Sequence, residues 1–172
     1  MAVELTPALC RTNLAAFLAT VPGVGTVHSY RRIMRDERSA KAVLWHSTTQ
    51  VGANPVGWMN AWMISPAGQT TTVTERGPGH AAIGTSGGGN NLTTFQWTIE
   101  GFFGIDDANA TEVTFSDLAW DVAHRLNGYG ALFVGVTHQL PADVEQLGYS
   151  FIAGWALLHY ARIGVGFRGR TQ

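Results

Sequence analysis

What this sequence lacks narrows its function before any motif is considered. The 172 residues include a single cysteine, Cys10, which excludes a disulfide within the chain and a multi-cysteine metal site. Charged residues make up only 13% of the chain, against roughly 25% in an ordinary soluble domain. Lys41 is the one lysine, and the net charge of −1 provides no basic field that would attract nucleic acid.

Membrane and export signals are missing as well. No apolar run approaches the roughly 18 residues that a membrane-spanning helix needs. The segment 1–10 lacks the basic start and apolar core of a signal peptide. We therefore expect no membrane partner. We also expect a protein that is made in the cytoplasm and leaves it, if at all, by a route other than secretion.

The scarcity of charge leaves two interpretations open. The first is a neutral surface rich in small residues, since glycine alone accounts for 21 positions. The second is a surface covered by copies of the chain or by partners, because the cores of protein interfaces are depleted of charge. Hydrophobic residues make up 45% of the chain, so one domain with a packed core is expected over residues 1–172.

The most regular stretch of the sequence is Asn91–Gly104. Aromatic and β-branched residues alternate there with polar ones, a period of two that predicts a half-buried strand. The side expected to face the core carries Phe95, Trp97, Ile99 and Gly101. The opposite side carries Thr94, Gln96, Thr98 and Glu100.

A helix is predicted directly after this strand. Asn109, with Glu112 three places on, forms the capping-box pattern that opens a helix. Asn127–Gly128 is a signal for the end of a helix. Between these signals, apolar residues recur at helical spacing, at Phe115, Leu118, Ala119, Val122 and Leu126.

The first half of the chain predicts two helices and two strands. Thr6 and Pro7 provide a capping hydroxyl and a proline at the first helical position. A short strand is predicted over 24–30 and a second helix over 31–46. The segment 56–65 predicts a strand that is apolar on both faces and therefore covered on both sides.

The segment 66–90 is long, polar and rich in glycine. Connections of this length inside a compact domain are usually functional or disordered, so we predict a projecting loop. Since Thr70–Glu75 has strand-forming residues, the projection can also be a two-stranded arm. We expect this arm to contact a neighbouring subunit or another protein.

The last third of the chain completes the sheet. It predicts a strand over 132–138, a turn or one-turn helix over 141–145, and a final strand over 155–168. The predicted order is α-β-α-β-(arm)-β-α-β-β. This order indicates a single α/β (α+β) domain with a mostly antiparallel sheet flanked by helices.

No catalytic, cofactor-binding or metal-binding constellation is found in the sequence. The adjacent pair Asp106–Asp107 lies just before the predicted helix, where acidic residues suit a cap and the helix dipole. The histidines have no spacing typical of metal ligands, and His28 is expected to be a hydrogen-bonded side chain in a strand. Cys10 is expected to be a buried structural thiol. We therefore expect no catalytic residues, no cofactor and no metal, and a protein that is not an enzyme.

The order of these pieces resembles the tail terminator, or tail-completion, proteins of long-tailed bacteriophages. The resemblance covers most of the chain outside 66–90, and its motifs are structural. A strand with a Val-His-x-Tyr start leads to a helix, a tryptophan-bearing strand follows, and an Asp- and Thr-rich turn opens the central helix. The matching segments are Val27–Tyr30, Trp58–Ser65, Thr98–Phe103, Asp106–Phe115 and Leu158–Ile163.

The resemblance implies a structural virion protein of the phage neck. Such proteins assemble as a ring, expected to be a hexamer, that caps the head-proximal end of the tail tube and joins it to the head connector. The implied partners are further copies of the chain, the tail tube protein, and a connector or neck protein. Genomic DNA would pass through the lumen without specific binding. The protein would be assembled in the host cytoplasm and end up in the virion.

Two other functions remain open at this point. One is another tail or neck component, such as a tail tube or head-closure protein. The other is a small-molecule-binding α/β domain that uses the tryptophans and methionines of 56–65. A stable ring favours a tail or neck component, the tail terminator included, whereas a stable monomer with a deep apolar pocket favours a small-molecule-binding domain.

Overall fold

The computed structural model describes residues 5–46, 58–73, 91–128, 136–152, 154 and 156–171. They form an α+β fold with a mostly antiparallel mixed sheet, which confirms the predicted fold class. The helices are α1 (Pro7–Leu18), α2 (Glu37–Leu44) and α3 (Thr111–Gly128), and a 3-10 turn at Asp107–Asn109 precedes α3. The strands are β1 (Thr26–His28), β2 (Trp45–His46), β3 (Trp58–Val73), β4 (Asn91–Gly104), β5 (Val136–Ile152) and β6 (Ala156–Thr171).

The sheet has the strand order β1-β3-β4-β6-β5, and the two-residue β2 pairs with the start of β3. Among the described strands, only β1 and β3 pair in parallel. Rows of residues can be followed across the long strands. One such row joins Trp62 on β3, Gly101 on β4, Ala161 on β6 and Leu147 on β5.

Helices cover both faces of the sheet. We call the face that packs against α1 and α3 the first face, and the main core lies there. Its sheet residues include Trp62, Ile64, Phe95, Trp97, Ile99, Ile163 and Phe167, all buried as the alternation predicts. The opposite, second face packs against α2 in a smaller cluster that includes Val43, Leu44, Met63, Phe102 and Leu158.

The start of α1 follows the predicted pattern. Thr6 is the N-cap, its side chain accepts a hydrogen bond from the Leu9 backbone N–H at 3.2 Å, and proline follows at the first position. Cys10 on this helix is fully buried, as predicted. Burial raises the pKa of its thiol to about 11, and a weaker contact with the Trp97 side chain opposes the rise.

The second helix is shorter than predicted. The sequence predicts a helix over 31–46, but α2 begins at Glu37 and the residues before it are neither helix nor strand. Asp36 and Ser39 form a reciprocal capping box: Asp36 Oδ1 accepts from the Ser39 backbone N–H at 2.7 Å, and Ser39 Oγ accepts from the Asp36 N–H at 3.0 Å. Because Asp36 must be extended to cap in this way, the helix cannot reach back to Arg31.

The predicted loop at 66–90 is wrong in its first part. Strand β3 continues through Pro66 to Val73 and pairs with β4 down to Asn91. A register shift between Pro66 and Gly68 accommodates the proline, which cannot donate a ladder hydrogen bond. The strand suggested at Thr70–Glu75 is therefore present up to Val73, and the rest of the predicted arm lies outside the described residues.

The predicted turn or short helix over 141–145 is also wrong. These residues belong to β5, which starts at Val136, so the strand predicted over 132–138 lies partly outside the described residues. Between Leu140 and Asp143 the register shifts, and the Ala142 backbone bonds instead to the Asn127 side chain at 2.7 and 2.9 Å. The proline that suggested a helix start is thus absorbed by a bulge, and Asn127 fixes that bulge to the end of α3.

The start of α3 corrects the predicted cap. The Asn109 side chain does not open the helix: it donates from Nδ2 to Asp106 Oδ2 at 2.6 Å. The helix begins two residues later, after Ala110, whose φ of 48° lies in the left-handed region. Thr111 fastens this start, because its hydroxyl accepts from the Asp106 N–H at 2.8 Å. The predicted apolar residues of the helix are all buried.

Candidate functional site

Asp106 stabilises the turn before α3, and the Asp107 side chain lies outside the described residues. Asp106 Oδ1 accepts from the Ala108 N–H at 3.1 Å while Oδ2 accepts from Asn109. Within the described ranges, no group of three or more His, Cys, Asp and Glu side chains is arranged to hold a metal ion. The prediction that the chain has no catalytic residue stays a prediction.

Two histidines hold elements together. On β1, His28 Nε2 donates to the Val43 carbonyl at 2.8 Å, which confirms the prediction of a hydrogen-bonded strand histidine. On β6, His159 is buried and its Nε2 lies 3.0 Å from the Thr111 hydroxyl. The same hydroxyl meets the Asp106 backbone, so His159 fastens β6 to the start of α3. The side chains of His80 and His138 lie outside the described residues.

A shallow cavity of about 310 Å³ opens beside His159. Its lining combines the acidic start of α3 with the end of β5, and includes Glu112, Asp117, Leu147, Tyr149 and His159. The Tyr149 and His159 rings lie 5.3 Å apart between centroids. The cavity therefore places two carboxylates next to exposed apolar side chains of the sheet.

A second polar cluster lies on the second face of the sheet. The Glu100 side chain is only 9% exposed, and its carboxylate accepts from the Tyr160 hydroxyl at 3.0 Å and pairs with Arg31 at 3.3 Å. Burial, and next to it the Glu100 charge, raise the pKa of Tyr160 to about 12. Since the Arg31 side chain is 70% exposed, solvent screens the ion pair, and the tyrosine bond is the better shielded one.

This cluster borders a cavity of about 380 Å³ between the segment before α2 and the end of β5. The residues around it include Arg31, Arg32, Met34, Ile152 and Tyr160. Sequence reasoning placed Glu100 on the polar side of β4 but assigned it no partner. Its partners come from positions 31 and 160, and only the sheet register brings them together.

Exposed apolar side chains gather at one corner of the sheet. Leu147, Tyr149 and Phe151 alternate along β5 on the first face and are 42%, 50% and 64% exposed. Leu157, paired with Phe151, extends the group onto β6 and is also exposed. We call Leu147, Tyr149, Phe151 and Leu157 the β5 apolar row. Contiguous exposed apolar groups of this kind mark interaction sites.

Trp62 and Met63, at the centre of β3, are core residues. Trp62 is fully buried on the first face, and Met63 is almost fully buried on the second. Trp62 packs tilted against Phe115 at 6.0 Å and donates its indole N–H to Asn60 Oδ1 at 3.2 Å. This strand therefore builds the core, which favours the interpretation of these residues as packing rather than ligand binding.

No helix in the described part of the chain is long and apolar enough to cross a membrane. Neither a scan against protein-family models nor a search of curated proteins finds a match to this chain.

Proposed function

We propose that this chain is a structural subunit of a long-tailed phage, a tail terminator that assembles into a ring of six copies. In this role the ring caps the head-proximal end of the tail tube and receives the head connector. Its partners are further copies of itself, the tail tube protein and a connector or neck protein. Phage DNA passes through the lumen without specific contacts. The protein acts in the virion, after assembly in the host cytoplasm, and catalyses no reaction.

The observation that carries the proposal is the β5 apolar row. Its four large side chains are exposed on a chain that has only 13% charged residues. Exposed apolar surface combined with little charge is typical of a subunit whose surface is covered in an assembly. The order of motifs that resembles tail terminator proteins supports the more specific role.

A second candidate is a binding domain for a small ligand. The observation that favours it is the cavity of about 380 Å³ beside Glu100 and Tyr160, with two arginines at its rim. Against it, Glu100 already has two partners, so a ligand would compete with Arg31 or Tyr160. A Glu100→Gln substitution that abolished binding of a small molecule to a stable monomer would favour this candidate.

The test is the mass and shape of the purified protein, measured by native mass spectrometry and negative-stain electron microscopy, alone and with purified tail tubes. We expect rings in solution, or monomers that form rings at one end of a tube. Binding along the tube or to heads alone would identify another tail or neck component. The proposal would be refuted if the protein stayed monomeric, did not bind tail tubes and did not restore infectivity to a phage that lacks it.

A further inference from the structure

Strand β5 forms one edge of the sheet. It pairs with β6 on its inner side, and no described strand lies on its outer side. At 17 residues it is a long edge. An edge strand presents a row of backbone N–H and C=O groups to solvent, and natural proteins protect such edges with prolines, bulges and charges.

The first half of β5 carries all of these protective features. Register shifts occur at Val136/His138, Leu140/Asp143 and Val144/Gln146. Pro141 lies in the second of them, and the charged residues Asp143 and Glu145 are exposed. An approaching strand would meet an irregular backbone and two charged side chains along this half.

The second half, Leu147–Ile152, carries none of them. It pairs residue for residue with Ala156–Ala161 and contains no proline and no charged residue. Its first-face side chains are the exposed Leu147, Tyr149 and Phe151. Because the features that block strand pairing are confined to the first half of β5, the second half is the part of this edge to which a further strand can pair.

We infer that the outer edge of Leu147–Ile152 is where a second copy of this chain adds a strand, so that the sheet continues from one copy into the next. The inference deepens the proposed function and rests on it in one respect, namely that the chain self-associates. Main-chain hydrogen bonds would supply the pairing, and the β5 apolar row would pack against the first face of the added copy.

The charges favour a head-to-tail arrangement over a two-fold one. Glu112 and Asp117 on α3 share a cavity with Leu147 and Tyr149, so they lie beside the proposed contact. Pairing β5 with β5 of another copy would place these acidic groups next to their own equivalents on the same face. In a head-to-tail arrangement the acidic groups would instead lie beside α1 of the next copy, because α1 packs on the other edge of the first face. The one charged residue of α1 is Arg11, which is basic.

The opposite edge of the sheet offers the strand for such an arrangement. Strand β1 pairs with β3 only at Ala61–Met63, and β2 only at its first two residues. In the described part of the chain, 64–73 of β3 therefore has no neighbour on its outer side. Pro66 and the register shift beside it interrupt this edge once, whereas the first half of β5 has three register shifts and two exposed charges. Because β3 and β5 run in opposite directions, their contact between copies would be antiparallel, like the pairings of β4 with β3 and β6.

This contact requires a stagger between neighbouring copies. Within one copy, Tyr149 at the middle of 147–152 lies in the same row as Asn60 on β3. In the proposed contact it would instead lie opposite the middle of 64–69 of the next copy, about six residues further along β3 when the bulge residue is not counted. At ~3.3 Å per residue the shift is about 20 Å, and four strand spacings of ~4.8 Å span about 19 Å. Strands would then tilt by about 45°, close to the tilt of roughly 35–45° with which sheets close into barrels. Heterologous contacts that close in this way make rings.

The experiment compares Phe151→Lys and Leu147→Lys with the matched control Trp120→Lys, which removes an equally exposed large side chain from α3. All three variants should keep the wild-type circular dichroism spectrum. The two β5 variants should raise the concentration needed for assembly by roughly 30-fold or more, the size of a hot-spot effect, and the control should not. Hydrogen exchange of the wild-type assembly should show new protection at 147–152 and at 64–71.

The alternative results separate the two proposals. Rings that persist in both β5 variants, with 147–152 still exchanging freely, would overturn the edge inference and leave the proposed function intact. Protection at 147–152 but not at 64–71 would indicate two-fold pairing and overturn the head-to-tail arrangement. Protection that appears only with tail tubes would assign the edge to another protein. A wild-type chain that never self-associates would overturn both proposals.

Discussion

Gly101 on β4 allows a direct test of how tightly the first face is packed. A Cβ at this position would lie 2.8, 2.9 and 3.0 Å from three atoms of the Trp62 ring. The ring is fully buried, is held by a hydrogen bond to Asn60 and packs against Phe115. Because burial and these two contacts hold the ring in place, Gly101→Ala should strain the core.

The expected cost follows from two opposing effects. Overpacking a well-filled core costs about 1–3 kcal/mol, whereas replacing glycine by alanine within a strand regains about 0.5–1 kcal/mol of backbone entropy. The net loss should be about 1–2 kcal/mol. In a domain of this size each kcal/mol lowers the melting temperature by roughly 2–4 °C, so a decrease of about 2–8 °C is expected.

Gly104 on the same strand is the matched control. A Cβ there would meet its nearest neighbours, all atoms of Met59, at 3.8–3.9 Å, which is ordinary contact. Gly104→Ala should leave stability unchanged or slightly raised. Urea unfolding followed by far-ultraviolet circular dichroism, at a concentration below that of assembly, measures both variants.

A double-mutant cycle identifies the cause of the loss. In a Trp62→Phe background the ring is smaller, so Gly101→Ala should cost less than it does in the wild type. The Trp62→Phe variant alone loses the bond to Asn60 and is the reference for the cycle. Equal effects of Gly101→Ala in both backgrounds, or equal stability of the two alanine variants, would refute the packing argument.

Three further predictions test the facing of β4, the start of α3 and the buried thiol. Trp97→Ala should lower the free energy of unfolding by about 3–5 kcal/mol, and Gln96→Ala on the opposite face should be mild; equal losses in chemical denaturation would contradict the assignment of faces. Thr111→Val should cost about 1–3 kcal/mol because it leaves buried polar groups without their partner, and Asn109→Ala should cost less; a larger loss for Asn109→Ala in thermal melts would restore the predicted cap. Because burial raises the pKa of the Cys10 thiol to about 11, the folded chain holds this proton where the unfolded chain releases it, so stability should fall from pH 9 to 11. The melting temperature should depend less on pH over this range in Cys10→Ala than in the wild type. An unchanged pH dependence would assign the loss of stability to other groups.

The sequence predicts those elements whose signals are local. Strand β4 was predicted because aromatic and β-branched residues alternate with polar ones from Phe95 to Glu100, and the structure extends the strand over Asn91–Gly104. The start of α1 was predicted because Thr6 and Pro7 act within one helical turn. In both cases no distant partner is needed to choose between alternatives.

The errors occur where pairing with a distant strand overrides a local signal. Pro66 and Pro141 both suggested an end of regular structure, yet each lies within a strand that bulges around it. The strand propensity of a single residue is a weak guide there, because the many other hydrogen bonds between two long strands offset the cost of one bulge. The prediction of a helix from Arg31 was wrong for the opposite reason. The apolar spacing was given more weight than a local signal, the capping box of Asp36 and Ser39, which starts the helix at Glu37.

The candidate sites depend on sheet register, which the sequence does not display. Glu100 meets Tyr160 because β4 and β6 pair with Glu100 opposite Arg162 and Phe102 opposite Tyr160. The β5 apolar row was missed because 141–145 was predicted to end regular structure just before it. The alternation of Leu147, Tyr149 and Phe151 was the signal that could have revealed it.

The two halves of β5 also differ in what they require of β6. Opposite the bulged half, β6 has Gly164, where a Cβ would meet Glu145 Oε1, and Gly166, where a Cβ would lie 2.6 Å from Leu140 Cδ1. At Gly166 three atoms of Leu140 leave no room for a side chain, whereas at Gly164 the half-exposed end of Glu145 could move aside. Opposite the regular half, β6 has ordinary side chains from Leu157 to Ala161, and the pairing runs without a shift. The irregular half of β5 thus faces glycines on β6 and the regular half faces ordinary side chains, so the regular half is the part of the edge to which a further strand could pair without interruption.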